Sequence, residues 1–267
     1  MAFPLKKLLQ ALAQRLLGFE RYLVWFSAFK VLTLRWDRPD QEGDFNRFLD
    51  LLAPGDVVLD IGANIGIMSV LLARRCQPGQ VHAFEPIPEN VQALKRVVKL
   101  FGLPNVTVYE VALGAQEGRV EMHMPVQQGV RMQGLAHVNH DSIAGYVDAH
   151  HTYEVAVHTL DHMDQMLNLD VAAIKMDVEN FEQFVLRGGI SLLRRRQPVI
   201  FCELWDNDNR KACMELLGEL GYTPMVWRNN LLKAFEAGKD PNHNFLFIPS
   251  SPAEGGPARW ASLHPVH

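Results

Sequence analysis

The sequence predicts an α/β fold in which a mostly parallel sheet carries helices on both faces. Three observations predict it. Runs such as 57–61 and 198–204 are apolar at consecutive positions, as strands buried on both faces require. These runs alternate with segments of helical period, the rhythm of repeated βαβ units. The first run then breaks at Gly62-Ala63-Asn64-Ile65-Gly66 into a helical pattern from Ile67, and a second run, Val81 to Phe84, closes in Glu85. That is the layout of a βαβ ligand site.

The elements follow in chain order. Leu5, Leu8, Leu9, Leu12, Leu16, Leu23 and Phe26 recur at steps of three and four or their sums, so residues 1–43 read as an N-terminal amphipathic helical segment. Lys6, Lys7, Arg15, Glu20 and Arg21 interrupt it, which excludes a signal peptide, and the apolar stretch Tyr22 to Phe29 is too short to cross a membrane. Residues 3–29 either pack on the domain or on a second subunit, making a homodimer, or lie on a membrane surface through Lys6, Lys7, Tyr22 and Trp25.

A domain over 44–249 comes next. A short helix over 44–52 and the turn Pro54-Gly55-Asp56 lead into strand 57–61. Helix 66–76, the turn Gln77-Pro78-Gly79 and strand 81–85 follow. Pro88 suits the first turn of a helix reaching Phe101. Strands are expected at 106–111 and 119–124. Residues 125–152 are polar, Gly-containing and without a clear period, too long for an ordinary connection, and are read as a substrate-covering insertion. Strand 153–159, helix 161–168, strand 171–177, helix 180–187, a second short helix to Arg195, strand 198–204, helix 208–220, and strands 222–227 and 244–248 complete the domain. The tail over 250–267, with Pro252, Pro257 and Pro265, is expected to be disordered.

Composition limits the function classes. With 267 residues, 48% of them hydrophobic, the chain can bury one sizeable core. The net charge of −4 and the absence of a long basic run, Arg194-Arg195-Arg196 being the largest cluster, speak against nucleic acid. Cys76, Cys202 and Cys213 are odd in number and fit neither a disulfide framework nor a zinc site, so a reducing cytoplasm is expected, with the inner membrane face as a variant should residues 3–29 bind lipid.

The glycine turn defines the ligand. A dinucleotide site needs G-x-G-x-x-G, and here the string is G-x-N-x-G. Fewer glycines facing a diphosphate, together with acids at Asp60 and Glu85, suit a ligand with a positive charge and no phosphate, such as S-adenosylmethionine. Gly62 and Gly66 allow close approach. Asn64 is placed to cap the next helix, whose first amides would face a carboxylate. Glu85 can accept from both ribose hydroxyls, and Asp60 is expected near the sulfonium or amino group.

This D-x-G-A-N-x-G turn resembles motif I of the Rossmann-like S-adenosylmethionine methyltransferases. Phe84-Glu85-Pro86, Val111-Ala112-Leu113-Gly114, Thr159-Leu160-Asp161, Ile174-Lys175-Met176-Asp177-Val178-Glu179 and Asn244-Phe245-Leu246-Phe247-Ile248-Pro249 extend the likeness, in the order of the FkbM-type family. The resemblance implies a class I methyltransferase fold with a mostly parallel seven-stranded sheet. It also implies cofactor contacts from Pro86 and Ala112, with adenine beside Ala112, and O-methylation of glycan sugars or natural-product hydroxyls. The family usually has Gly after Asp-Val-Glu, where this chain has Asn180. That departure is the sole sequence support for a second reading, a non-catalytic S-adenosylmethionine-binding partner or scaffold subunit.

Lys175, Asp177 and Glu179 alternate at the end of a strand whose carboxyl end faces the crevice, so all three are candidate catalytic groups, Asp177 foremost. Glu203 ends the next strand at a comparable level and is a fourth. A Mg²⁺ ion between two such strand ends rests on analogy with other O-methyltransferases, and no metal ligand set is assigned. His137 and His140 are further base candidates if the insertion closes over the site.

Overall fold

The computed structural model describes residues 3–33, 39–127, 129–140, 150–228, 231–238, 240–250 and 260. Two helices, α1 (Phe3–Leu17) and α2 (Phe19–Thr33), replace the single helix expected over 3–29. Gly18, at φ 75°, turns the chain between them in a conformation that costs glycine little. Tyr22, Leu23, Ser27 and Val31 face inward from α2, and Ser27 Oγ donates to the carbonyl of Ile65 at 2.8 Å. Leu9, Leu12 and Leu16 on α1, and Trp25, Phe29 and Leu32 on α2, are exposed. The apolar stripe is therefore divided between a docked helix and an outward face. No described helix is long and apolar enough to cross a membrane.

After α3 (Pro39–Leu51), the chain builds β1 (Val57–Ile61), α4 (Ile67–Cys76), β2 (Val81–Phe84), α5 (Pro88–Leu100) and β3 (Val106–Tyr109). It returns much later on the other side of β1 as β9 (Val171–Met176), α7 (Glu182–Arg187), α8 (Ile190–Arg196) and β10 (Val199–Glu203). After α9 (Asp208–Glu219), β11 (Tyr222–Arg228), β12 (Leu231–Ala234) and β13 (Asn244–Pro249) complete a sheet ordered β12-β11-β13-β10-β9-β1-β2-β3. Pairing is parallel from β10 to β3 and antiparallel around β13 and β11. Among the described residues this sheet has eight strands where seven were expected, because β12 folds back on β11 as an edge hairpin.

Consecutive strand residues feed two different cores, which is why the strands are apolar on both faces. Leu59, Ile61, Ile174, Met176, Ile200 and Cys202 join one core, while Val58, Ala173, Val199 and Phe201 join the other with Phe45 and Phe48 of α3. Trp260, expected in a disordered tail, is 1% exposed and belongs to the second core, so the tail is anchored at that residue. The rest of that expectation, over 251–259 and 261–267, lies outside the described residues.

The largest departure from expectation concerns 112–158. Here β4 (Ala112–Leu113), β5 (Gly118–Gln127), β6 (Val130–Arg131), β7 (His137–Val138) and β8 (His150–His158) form a second, five-stranded sheet, in which β5 and β8 run antiparallel through eight register pairs from Gly118↔Val157 to Pro125↔His150. The insertion read as a substrate cover without a clear period contains β6, a 3₁₀ turn at Gln133–Leu135 and β7, with 141–149 outside the described residues. Helix 161–168 is a 3₁₀ turn at Leu160–His162 followed by α6 (Asp164–Leu167).

Candidate functional site

The strand order of the sheet reverses between β1 and β9. In open α/β sheets the ligand crevice lies at such a switch point, beyond the carboxyl ends of the strands. Two adjoining clefts open there, of about 620 Å³ and about 680 Å³. The first is lined by Gly62, Asn64, Glu85, Pro86, Ala112, Asp177 and Glu179, so seven of the residues singled out from sequence meet in one place. The second runs under α2 and is lined by Phe26, Lys30, the 62–65 turn, Ile67, Met68 and Lys175. Gly62, Asn64, Gln133, Gly134 and Asp177 line both.

The turn after β1 is held from three sides. Gly62 and Ala63 donate backbone N–H bonds to Phe84 O, and Asp177 N–H bonds Ile61 O at 3.1 Å. A Cβ on Gly62, already at φ 76°, would stand 1.9 Å from the carbonyl oxygen of Asp177, so no other residue fits without moving the backbone just past β9. Gly66 lines neither cleft. Its missing side chain makes room for Leu94 of α5, whose Cδ1 a Cβ on Gly66 would meet at 2.5 Å. Asn64 does not cap α4. Gly66 is the N-cap residue, and Asn64, at φ 50°, donates its side-chain amide to Gln133 O at 3.2 Å.

Asp60 is fully buried and lines neither cleft, which corrects its expected place beside the ligand. β1 and β9 set Asp60 opposite Lys175, and Lys175 Nζ lies 3.4 Å from Asp60 Oδ1 and donates to Gly62 O at 2.9 Å. Burial opposes the charge of Lys175, but the carboxylates of Asp60 and Asp177 outweigh it and hold its pKa above the ordinary value. Lys175 thus ties the glycine turn to the sheet. Ser69 Oγ donates to Asp60 Oδ2 at 2.5 Å. Ser69→Ala is expected to cost about 1.5–3 kcal/mol, as a hydrogen bond to a buried charge does. Denaturant unfolding checks this, and an unchanged midpoint would show that Lys175 alone satisfies Asp60.

Glu85 sits just past β2, 5% exposed. Its Oε2 accepts from Asn64 N at 2.9 Å, and Oε1 accepts from Ile87 N at 3.0 Å and Asn90 Nδ2 at 3.2 Å. Burial pushes its pKa up to about 7 against these bonds. Across the cleft, Glu179 and Asn180 take left-handed backbone, φ 54° and 72°. Asn180 therefore does what the family's glycine would do, and its Oδ1 accepts from Asn207 Nδ2 at 2.5 Å. Burial raises the Glu179 pKa to about 8, helped by the charges of Asp177, Glu203 and Glu182. Glu203 is half-buried beside this group but lines neither cleft. Glu182, 1% exposed, accepts from Val178 N and Asn209 Nδ2, and burial raises it to about 7.

These three carboxyls have folded-state values above the ordinary 4.5. Their contribution to stability is therefore full below about pH 4.5 and is lost as pH rises through 7 to 8. The ligand-free protein is expected to lose denaturant resistance between about pH 5 and pH 8.5, and Glu179→Gln to flatten that slope. A midpoint that rises over this window would refute the assignment.

His137 is buried on β7, with Nδ1 2.9 Å from Leu135 O, and His140 packs on Phe184, ring centroids 4.9 Å apart. Neither lines a cleft. Among the described residues no group of three His, Cys, Asp or Glu side chains is arranged to hold a metal ion. Sequence reasoning missed Asn90, Met122, Gln133 and Val138, which line the first cleft from α5 and the second sheet. Only Asn90, four residues past Pro86 on a helix start, carried a local signal.

The residues fit a ligand rich in donors. Among the described residues Asn64 Oδ1, Asn90 Oδ1 and Gln133 Oε1, buried in the cleft walls, have no hydrogen-bond donor, and Glu85 stands among them. Phe84, Val111, Ala112 and Leu113 supply an apolar wall for a flat ring. Fold and site together define a class I, Rossmann-like site for S-adenosylmethionine.

The chain belongs to the FkbM methyltransferase family, S-adenosylmethionine-dependent enzymes: the family described as Methyltransferase FkbM domain matches residues 60–224. "Methyltransferase 1" of Beauveria bassiana (strain ARSEF 2860) is 27% identical over 143 residues, 49% of this chain and 57% of that protein. The "31-O-demethyl-FK506 methyltransferase FkbM" of Streptomyces tacrolimicus is 58% identical over 45 residues, 16% of this chain and 17% of its own. The chain thus matches little more than half the length of the first relative and less of the second. Among solved structures, Methyltransferase FkbM from Methylobacillus flagellatus KT aligns with a TM-score of 0.48 at 17% identity, over 73% of this chain and 44% of that one.

Proposed function

We propose that the protein transfers a methyl group from S-adenosylmethionine to a hydroxyl oxygen of a glycan sugar or small natural product. The observation that carries this reading is the shared cleft, which Glu85, Asp177 and Glu179 line together with Gly62 and Asn64 of the glycine turn. The cofactor supplies a methyl group already activated on a sulfonium. Glu85 accepts from the ribose hydroxyls, and the wall at Ala112 receives the adenine. Asp177 stands where both clefts meet and takes the hydroxyl proton as the O–CH₃ bond forms and the S–CH₃ bond breaks, leaving S-adenosylhomocysteine. Glu179, which burial raises to about 8, is largely protonated at neutral pH and relays that proton towards solvent by releasing its own. Holding oxygen, methyl and sulfur in line is worth up to about 7–11 kcal/mol of barrier.

The name of the Streptomyces tacrolimicus relative contains an O-demethylated substrate, which favours an oxygen acceptor here. The non-catalytic reading loses its support, since Asn180 adopts the left-handed backbone a glycine would. The test is mass spectrometry of extracts incubated with the protein and the methyl donor. An acceptor heavier by one CH₂, formed with S-adenosylhomocysteine, is expected. Donor binding without S-adenosylhomocysteine in any extract would overturn the catalytic reading.

A further inference from the structure

The 3₁₀ turn at Gln133–Leu135 belongs to the second sheet, yet it reaches the glycine turn of the first. Gln133 is 9% exposed and lines both clefts. Its Oε1 is buried with no donor, and so is Oδ1 of Asn64, whose Nδ2 already donates to the Gln133 backbone carbonyl. Gly62 O, a carbonyl of the same turn, already accepts from Lys175. Two uncharged acceptors therefore lie buried in the wall between the clefts without a donor among the described residues, within a side-chain rotation of the passage, and a buried acceptor left so costs its desolvation.

The position along the cleft selects the donor. Glu85 and Ala112 are in the first cleft, the ribose and adenine end. The passage leads from there to the second cleft, so it receives the amino-acid end of the cofactor. The group at that end with several N–H donors and no acceptor is the α-ammonium.

We propose that Gln133 Oε1 and Asn64 Oδ1 hold the α-ammonium of the methyl donor, which makes the 132–136 segment a cofactor clamp as well as an acceptor cover. The proposal rests on the S-adenosylmethionine reading of the cleft. It assigns a binding residue from an insertion outside the βαβ motifs, and it explains why that insertion is tied to Asn64.

Calorimetry with three ligands tests it: S-adenosylmethionine, S-adenosylhomocysteine and 5′-methylthioadenosine, the last keeping adenine, ribose and sulfur but lacking the amino-acid end. Gln133→Leu is expected to weaken the first two roughly ten- to a hundredfold, as loss of a hydrogen bond to a charged group does, and to leave the third unchanged. Gln133→Glu, which keeps the acceptor, should retain affinity for both amino-acid ligands. Equal weakening of all three ligands, or no weakening, overturns the proposal. Failure of the wild-type protein to bind any of them overturns the cofactor reading itself, and the proposal with it.

Discussion

Replacing Glu85 with alanine is expected to weaken S-adenosylmethionine binding by about two orders of magnitude. A carboxylate accepting from two ribose hydroxyls makes two charge-assisted hydrogen bonds, each worth about 1.5–3 kcal/mol and not fully additive. The substitution also strands the N–H groups of Asn64 and Ile87, which Glu85 now satisfies, so the turn that faces the ligand loosens. A pH series separates these effects. Burial holds Glu85 near pKa 7, and the ribose bonds favour its ionised form. Wild-type affinity should therefore rise as pH climbs through 7, while that of Glu85→Ala should not follow. Calorimetry reads both, and unchanged affinity would remove Glu85 from the ribose site.

Asp177→Asn should lower turnover about 10²- to 10⁴-fold, the range for loss of a positioned base, while cofactor affinity changes little. Asparagine keeps the shape and the backbone bond from Asp177 N to Ile61 O, but it cannot take a proton. Loss of the Asp177 charge also removes one of the groups that raise Glu179. Residual activity carried by Glu179 in the variant should rise with pH through a midpoint below about 8. Full activity in Asp177→Asn would refute its role as base.

Glu85, Asp177 and Glu179 were legible because each lies at or just past the end of an apolar strand, where the chain must leave the core. The two-sided burial of β1, β9 and β10 was equally plain, since no surface strand tolerates such runs. The second sheet was not legible. Its main strand, β5, is exposed only near its start, at Gly118, Arg119 and Glu121, and pairs with β8, which returns only after β6 and β7, so its pairing leaves only a weak local pattern. Asn64 looked like a helix cap from its neighbours alone. Its actual partner, Gln133, stands 69 residues away. Asp60 looked available because it ends a strand beside a glycine turn. The parallel register placing it opposite Lys175, which draws it inward, is a property of the sheet and not of either segment.

One contact far from the chemistry connects these parts. Gln14 on α1 binds both backbone groups of Arg131, donating Nε2 to its carbonyl at 3.2 Å and accepting its N–H at 3.1 Å, much as a neighbouring strand would. The Arg131 guanidinium also lies over the Phe19 ring, 4.8 Å from its centroid. Arg131 is two residues before Gln133, so undocking of the first helix would be felt at the 3₁₀ turn. Linkage is reciprocal: whatever free energy the ligand gains from a docked helix, the helix gains from the ligand. Protection of α1 from protease by saturating cofactor, and the affinity lost when α1 is removed, should therefore measure the same quantity from its two ends.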